Sequence, residues 1–275
     1  MEEYNAADLP IVGTTALGET KFHVADPDII RDMMTKNNKL IDKDGLTDIG
    51  LRPFMGNSFL FSKTTDQWSR KRKGAAHAFY KDRLKLMMYT MQEVTVKTFN
   101  QWIEGIEGSK DGKTVIDISK EFQTIFARNI IAISFGDDIS DLLIDQCVET
   151  EAGSGKYVMK KYNYSECVRL LESLATSVLK TKFLLPLNWF WKYTDKLYSF
   201  TRRQRIFDAN CQRVRDFTMD YVQKRKAGKI KSKARGESDL LSLFLSASEI
   251  FSDEDIVDEM QDFFAAAAET SQNST

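Results

Sequence analysis

No apolar run in these 275 residues is long enough to cross a bilayer. The longest uninterrupted one, Phe263 to Ala268, falls far short of the ~20 residues a membrane helix needs. The opening Met1-Glu2-Glu3-Tyr4 is acidic and carries neither the basic nor the apolar region of a secretory signal. As written, the sequence is expected neither to span a membrane nor to enter the secretory path. Cysteine is scarce: Cys147, Cys167 and Cys211 are odd in number and widely spaced, with no CxxC. They read as reduced, buried thiols in a cytosol-facing compartment. His23 and His77 are the only histidines, there is no HExxH, and a zinc site is not expected. No GxGxxG or Walker-type glycine loop occurs, which removes support for nucleotide binding. Neither sign of charge dominates: 39 Lys and Arg stand against 40 Asp and Glu. No whole-chain field would draw a nucleic acid.

Proline and glycine are also few, 4 and 14, and with 42% apolar and 29% charged residues this favours a globular, mainly helical protein. The amino end differs. Segments 11–17 and 21–24 flank Gly18-Glu19-Thr20 and read as a short β-hairpin. Asp26-Pro27-Asp28 then supplies an N-cap, a proline at the first helical position and an acid in the first turn. Gly45 to Gly56 reads as a loop. Thr64-Thr65-Asp66-Gln67 opens a helix to about Tyr80, and another runs from about Arg83 to Ile106. A short strand is expected at Thr114-Val115-Ile116, then a helix from Ser119 to about Phe135. Helical patterns cover about 139–150, which includes Cys147, and 164–182. Phe183 to Trp191 is a bulky apolar linker before a long helix from about Thr194 to Lys226. Lys224 to Arg235 reads as a basic exposed loop. Ser238 caps a short helix, and Ser252-Asp253-Glu254-Asp255 caps the last.

That last helix carries the sharpest signal. Ile256, Met260, Phe263 and Ala267 share one stripe, with Asp255, Asp258, Glu259 and Asp262 largely on the other side. Four small residues, Ala265 to Ala268, follow. A face without bulky side chains lets a flat, rigid body approach the backbone. Glu269-Thr270-Ser271 places an acid beside two hydroxyls, groups that can relay protons because each both gives and takes hydrogen bonds.

Ser252 to Glu259, running into Ala266-Ala267-Ala268-Glu269-Thr270-Ser271, resembles the central helix of the cytochrome P-450 haem-thiolate monooxygenases. The family pattern there is [A/G]-G-x-[D/E]-T-[T/S], and Ala267 stands where the family has glycine. Trp68-Ser69-Arg70-Lys71-Arg72 is similar to its W-x-x-x-R segment, and His77-Ala78-Phe79 follows in the family's order. The opening hairpin and Asp239-Leu240-Leu241 also fall in sequence. The resemblance covers nearly the whole chain and implies a mainly α fold with a small β-hairpin, a partial cytochrome P-450 fold. The hairpin would occupy 11–24, the helical body 26–251 and the central helix 252–273.

By resemblance, Trp68 and Arg72 hold a propionate of haem b, Ala266 and Ala267 form the oxygen groove, and Glu269 and Thr270 deliver protons. The intact family implies a small apolar organic substrate, molecular oxygen and a flavoprotein reductase, at the endoplasmic reticulum membrane facing the cytosol. The reductase would dock on the basic run Arg70-Lys71-Arg72-Lys73 with Lys81, Arg83 and Lys85. The family's cysteine segment, F-x-x-G-x-x-x-C-x-G, is not in these residues, and none of the three cysteines has that context. Glu166 to Arg169 matches the family's E-x-x-R but precedes the central helix, and reads as coincidence. The expectation is a fragment of a haem-dependent monooxygenase, inactive alone. The other reading is a haem-free helical interaction protein.

Overall fold

The computed structural model describes residues 10–16, 19–42, 48–60, 62–151, 153–184 and 201–272. The apolar linker over 185–191 and the start of the long helix expected at Thr194 lie outside the described residues. The opening hairpin is present: β1 (Ile11–Ala16) pairs antiparallel with β2 (Glu19–Val24), Ile11 opposite Val24. Helices α1 (Pro27–Thr35), α2 (Asp48–Met55), α3 (Asp66–Ala76), α4 (Lys81–Glu107) and α5 (Ile118–Phe135) follow. Their starts obey capping chemistry. Asp26 accepts from the N–H groups of Asp28 and Ile29 at 2.8 and 3.0 Å, Thr65 from Trp68 N at 3.1 Å, and Asp117 from Lys120 N at 3.2 Å. Gly136, at φ 74°, ends α5 in the left-handed conformation.

Several expectations need correction here. Residues 48–55 are helical, not loop. Phe54 and Met55 are buried there, and that burial outweighs the helix-breaking character of Pro53. Thr114-Val115-Ile116 forms no strand: it is unpaired, and Val115 is wholly exposed, so no partner edge stabilises it. The helix read over 139–150 is instead β3 (Leu143–Glu149), paired with β4 (Tyr157–Asn163) with Leu143 opposite Asn163. Ile144 and Gln146 point inward while Leu143 and Asp145 face out, the period-two pattern of a strand. The connecting turn uses Gly153 and Gly155 at positive φ. The helical body therefore carries a second hairpin, and Cys147 lies on a strand.

Beyond it lie α6 (Tyr164–Leu184), α7 (Arg202–Lys226), α8 (Leu240–Ser246) and α9 (Asp253–Gln272). Glu166 acts locally. Its carboxylate accepts from Asn163 N at 3.0 Å while its own N–H donates to Asn163, a capping pair at the start of α6. Arg169 turns to Gln123 at 3.3 Å. The N-cap of α8 is Asp239, which accepts from Ser242 N at 2.9 Å, and not the neighbouring Ser238. The basic exposed loop is present over 227–234, shorter at its start than expected and tied at its end. Lys224–Lys226 complete α7, Lys233 N and Ala234 N donate to Gly136 O, and Lys233 pairs with Asp137 at 2.8 Å.

The core lies where α9 runs between α5, α7 and α2. Ile131, Phe135, Tyr164, Val214, Val222, Phe244, Ile256, Met260 and Phe264 are fully buried. Tyr164 meets the rings of Phe135 and Phe264 edge-on, with centroids 5.4 and 4.9 Å away. Such contacts contribute about 1 kcal/mol each beyond burial. The Tyr164 hydroxyl donates to Gln261 Oε1 at 2.9 Å, and Gln261 Nε2 donates to Thr218 Oγ1 at 2.8 Å. This buried chain locks α6, α7 and α9 into one register. Among the described residues no helix is long and apolar enough to cross a membrane.

Candidate functional site

The residues singled out at the amino and carboxyl ends meet through one short segment, 56–59. Gly56 turns at φ +58°, and a side chain there would run into the Asp258 carboxylate. Asn57 N donates to Asp258 Oδ2 at 2.7 Å. Arg215 of α7 pairs with Asp258 at 2.6 Å and also donates to Phe54 O at 3.0 Å. Phe59 N donates to both carboxylate oxygens of Glu259, at 3.0 and 3.2 Å. Phe59 O accepts the indole N–H of Trp68 at 2.7 Å. The Phe59 ring meets Phe263 edge-on at 5.6 Å.

Helix α3 brings two charges to the same place. Lys71, assigned by sequence to a basic surface run, is buried, and pairs with Asp255 at 2.5 Å with Glu259 at 4.0 Å. The burial follows from the acidic face of α9, which turns inward: Asp258, Glu259 and Asp262 are all buried. Burial, with the like charges of Asp258 and Asp262, pushes the Glu259 carboxyl up to about 8, against the lowering pull of Phe59 N–H and Lys71. Asp255 goes the other way. Burial raises it, but the Lys71 and Ser252 hydrogen bonds outweigh that and leave it below the ordinary carboxylate value. Ser252 and Asp255 cap α9 reciprocally at 3.0 and 3.1 Å.

Arg72 is exposed, with its guanidinium over the Trp68 ring, 5.2 Å from the centroid. No ion pair between Arg72 and a carboxylate is found among the described residues. On α9, Phe264 and Ala265 enter the core, whereas Ala266 is exposed and Ala267 half-buried. Of these small residues Ala266 is the exposed one among the described side chains. Glu269 and Thr270 fall within the backbone span of α9, and their side chains lie outside the described ones.

These features fit the edge of a haem: an exposed guanidinium for a carboxylate and a helix segment of small side chains for a flat ring. They do not supply an iron ligand. Cys167 and Cys211 are sealed in the core, where burial pushes the Cys167 thiol up to about 12 and raises that of Cys211 further. Cys147 is half-buried on β3, its backbone paired to the Asn210 side chain. No cluster of His, Cys, Asp and Glu suited to a metal ion occurs among the described residues.

Sequence reasoning missed Glu259, Lys71, Asp258, Arg215 and Phe59 as parts of this assembly. The one available signal was three acids on the last helix beyond its cap, more than a solvated face requires beside a small-residue stripe.

An open groove of about 560 Å³ lies beside α3, lined by Arg70, Lys73, His77, Tyr80 and Arg83 with Leu243 and Ile250. Arg70 and Lys73 of the basic run line it, Arg72 is exposed on the same helix, and Lys71 is withdrawn.

The family model described as Cytochrome P450 matches residues 1–275. Cytochrome P450 4F8 of Homo sapiens is 24% identical over 204 residues, 74% of this chain and 34% of that protein. Cytochrome P450 734A1 of Arabidopsis thaliana is 22% identical over 255 residues, 91% of this chain and 42% of its own length. Cytochrome P450 monooxygenase sphH of Aspergillus fumigatus is 24% identical over 251 residues, 90% and 42% respectively. The chain spans less than half the length of each of these relatives.

Proposed function

The chain belongs to the cytochrome P450 family, and on that premise we propose that it forms the haem-edge and oxygen-side portion of a monooxygenase. The observation that carries this reading is the clamp through segment 56–59. It ties the Trp68–Arg72 helix to α9, the helix that also carries Ala266 and Ala267.

In this reading Trp68 and Arg72 hold the propionate edge of haem b. Ala266 and Ala267 form the groove over which oxygen is bound. The Thr270 hydroxyl and the Glu269 carboxyl move protons toward it. Haem ligated by a cysteine thiolate supplies oxygen activation, so that one oxygen atom enters a small apolar substrate. The thiolate comes from the family's cysteine segment and not from Cys147, Cys167 or Cys211. Electrons arrive from a flavoprotein reductase docked on the face carrying Arg70, Arg72 and Lys73. The intact enzyme works at the endoplasmic reticulum membrane, facing the cytosol.

Titrating haem b into the purified chain tests this. Uptake is expected to depend on Arg72, with Arg72→Ala weakening it at least about tenfold, the order of one charge-assisted pair. The carbon monoxide difference spectrum is expected to lack a thiolate-type band. Uptake indifferent to Arg72→Ala would overturn the assigned edge. A thiolate-type band from these residues alone would overturn the placing of the ligand elsewhere. Stable protein without any uptake would favour the haem-free interaction reading.

A further inference from the structure

The β3–β4 hairpin keeps one face against the body and turns the other outward. Ile144 and Gln146 are buried on the inner face. The Cys147 backbone pairs with the Asn210 side chain at 2.8 and 2.9 Å, which fastens β3 to α7. The register places Leu143, Asp145, Cys147 and Glu149 on the outer face, opposite Asn163, Lys161, Met159 and Tyr157. Leu143 and Met159 are 59% and 51% exposed there. The tip is ordered: Thr150 N donates to Lys156 O at 2.9 Å, and Gly155 N to Glu149 Oε1 at 2.6 Å. Arg202, in the first turn of α7, donates to Gly155 O at 3.0 Å, and its guanidinium lies 4.7 Å from the centroid of the Tyr157 ring. The hairpin and the amino end of α7 thus form one surface.

Charge on that surface is one-sided. Among the described residues of the two strands, their turn and the first turn of α7, Lys156, Lys160, Lys161, Arg202, Arg203 and Arg205 are exposed, against the acids Asp145, Glu149 and Glu151. Long basic side chains lay their stems along apolar groups and carry the charge outward. Basic groups interleaved with uncovered Leu143 and Met159 suit a surface that is anionic at its headgroups and apolar beneath them. An acidic protein would answer the lysines and leave the apolar pair without a role. A two-stranded hairpin cannot cross a bilayer, because its edge groups would go unpaired there, but it can lie on one.

We propose that this surface is a peripheral membrane contact: the outer face of the hairpin and the amino end of α7 rest on an anionic lipid bilayer. Leu143 and Met159 enter the headgroup boundary, and the lysines and arginines meet the lipid phosphates. The proposal deepens the reading of a membrane location for the intact enzyme and rests on it. It draws on no part of the haem edge.

The test uses the full chain and vesicles of phosphatidylcholine, alone or with about a third phosphatidylserine, read by co-sedimentation. Binding is expected only with the anionic lipid, and to weaken with added salt. Lys156→Gln/Lys160→Gln/Lys161→Gln is expected to lose about a hundredfold in affinity, roughly fivefold per side chain. Lys110→Gln/Lys113→Gln/Lys120→Gln takes the same charge from exposed positions between α4 and α5, and is expected to lose less than about threefold. Leu143→Ser/Met159→Ser leaves the charge unchanged and is expected to lose at least about fivefold. All these positions are exposed, and circular dichroism checks that the fold is kept.

Equal losses in the two lysine variants, or full binding by Leu143→Ser/Met159→Ser, overturn this face as the lipid contact and leave the membrane location standing. Binding to polyglutamate through the same lysines, without binding to vesicles, assigns the face to an acidic protein and overturns the lipid. A folded chain that binds no vesicle overturns it as well. Fractionation of cells making the chain reads the location separately. Hairpin-dependent vesicle binding by a chain recovered in the soluble fraction upholds the face and sinks the location on which the proposal rests.

Discussion

Glu259 and Asp255 sit four residues apart on one helix and face the same lysine, yet they titrate in opposite directions. For Glu259 the folded value, about 8, lies above the ordinary 4.5. Between those values the folded chain holds a proton that the unfolded chain has released. Stability therefore falls as pH rises through that window, with a slope approaching ~1.4 kcal/mol per pH unit at most. For Asp255 the folded value lies below 3.8, so its contribution is present above that pH and lost as pH falls through the folded value. Urea unfolding across pH 4–9 is expected to show the alkaline loss in the native chain and a flatter profile in Glu259→Gln. A native profile without slope over that range would contradict the assignment. Neither behaviour was legible in the sequence. The acids of α9 read as an outward face because periodicity reports only which residues share a side of a helix. That Lys71 and the N–H groups of Asn57 and Phe59 would neutralise the inward side depends on chain segments about two hundred positions away.

At the level of elements, local chemistry was legible and pairing was not. The caps of α1 and α9 could be named from Asp26-Pro27 and Ser252 because each closes within three residues, while the box Thr64 to Gln67 placed the start of α3 one residue early, Thr65 being its cap. The β3–β4 hairpin could not, because Ile144 and Val148 sit four apart and imitate a helical stripe until Tyr157–Asn163 supplies the partner edge. The small-residue stripe of α9 was readable, but the polar tie that fixes the helix was not. Gln261 joins Tyr164 and Thr218 entirely inside the core. Gln261→Leu takes the acceptor from the Tyr164 hydroxyl, while Thr218 still donates to Val214 O at 3.0 Å, and is expected to cost about 1–3 kcal/mol, the range for one stranded buried group. Denaturant midpoints check this, and the triple replacement with Tyr164→Phe and Thr218→Val should recover much of the loss. If the triple variant is no more stable than Gln261→Leu alone, the network has been misjudged.

For the molecule as a whole, family membership was recoverable because five motifs kept their order along the chain. The site residues remain a proposal, and the relatives extend well beyond the span matched here. What is present arranges charge unevenly. Lys71 is withdrawn into the interior, while Arg70, Arg72 and Lys73 remain exposed, Arg70 and Lys73 lining the groove with Tyr80 and Arg83. Association of the chain with an acidic electron-donor protein is expected to weaken about tenfold or more between low and high salt, chiefly through the on-rate. Surface-binding kinetics read this directly, with Arg70→Glu/Lys73→Glu as the charge-reversed control. A salt-insensitive association, or one untouched by the reversal, would remove this face as the docking surface.

The hydrogen bond between Asn57 and Asp258 spans 201 positions of sequence, and this sets an order of events during synthesis. While the ribosome is still making the stretch between them, the glycine turn, the indole and the lysine of the early segments have emerged without the acids that hold them. The nascent polypeptide therefore carries an unfinished half-core until those acids leave the ribosome, the circumstance in which chaperone capture competes with misassembly.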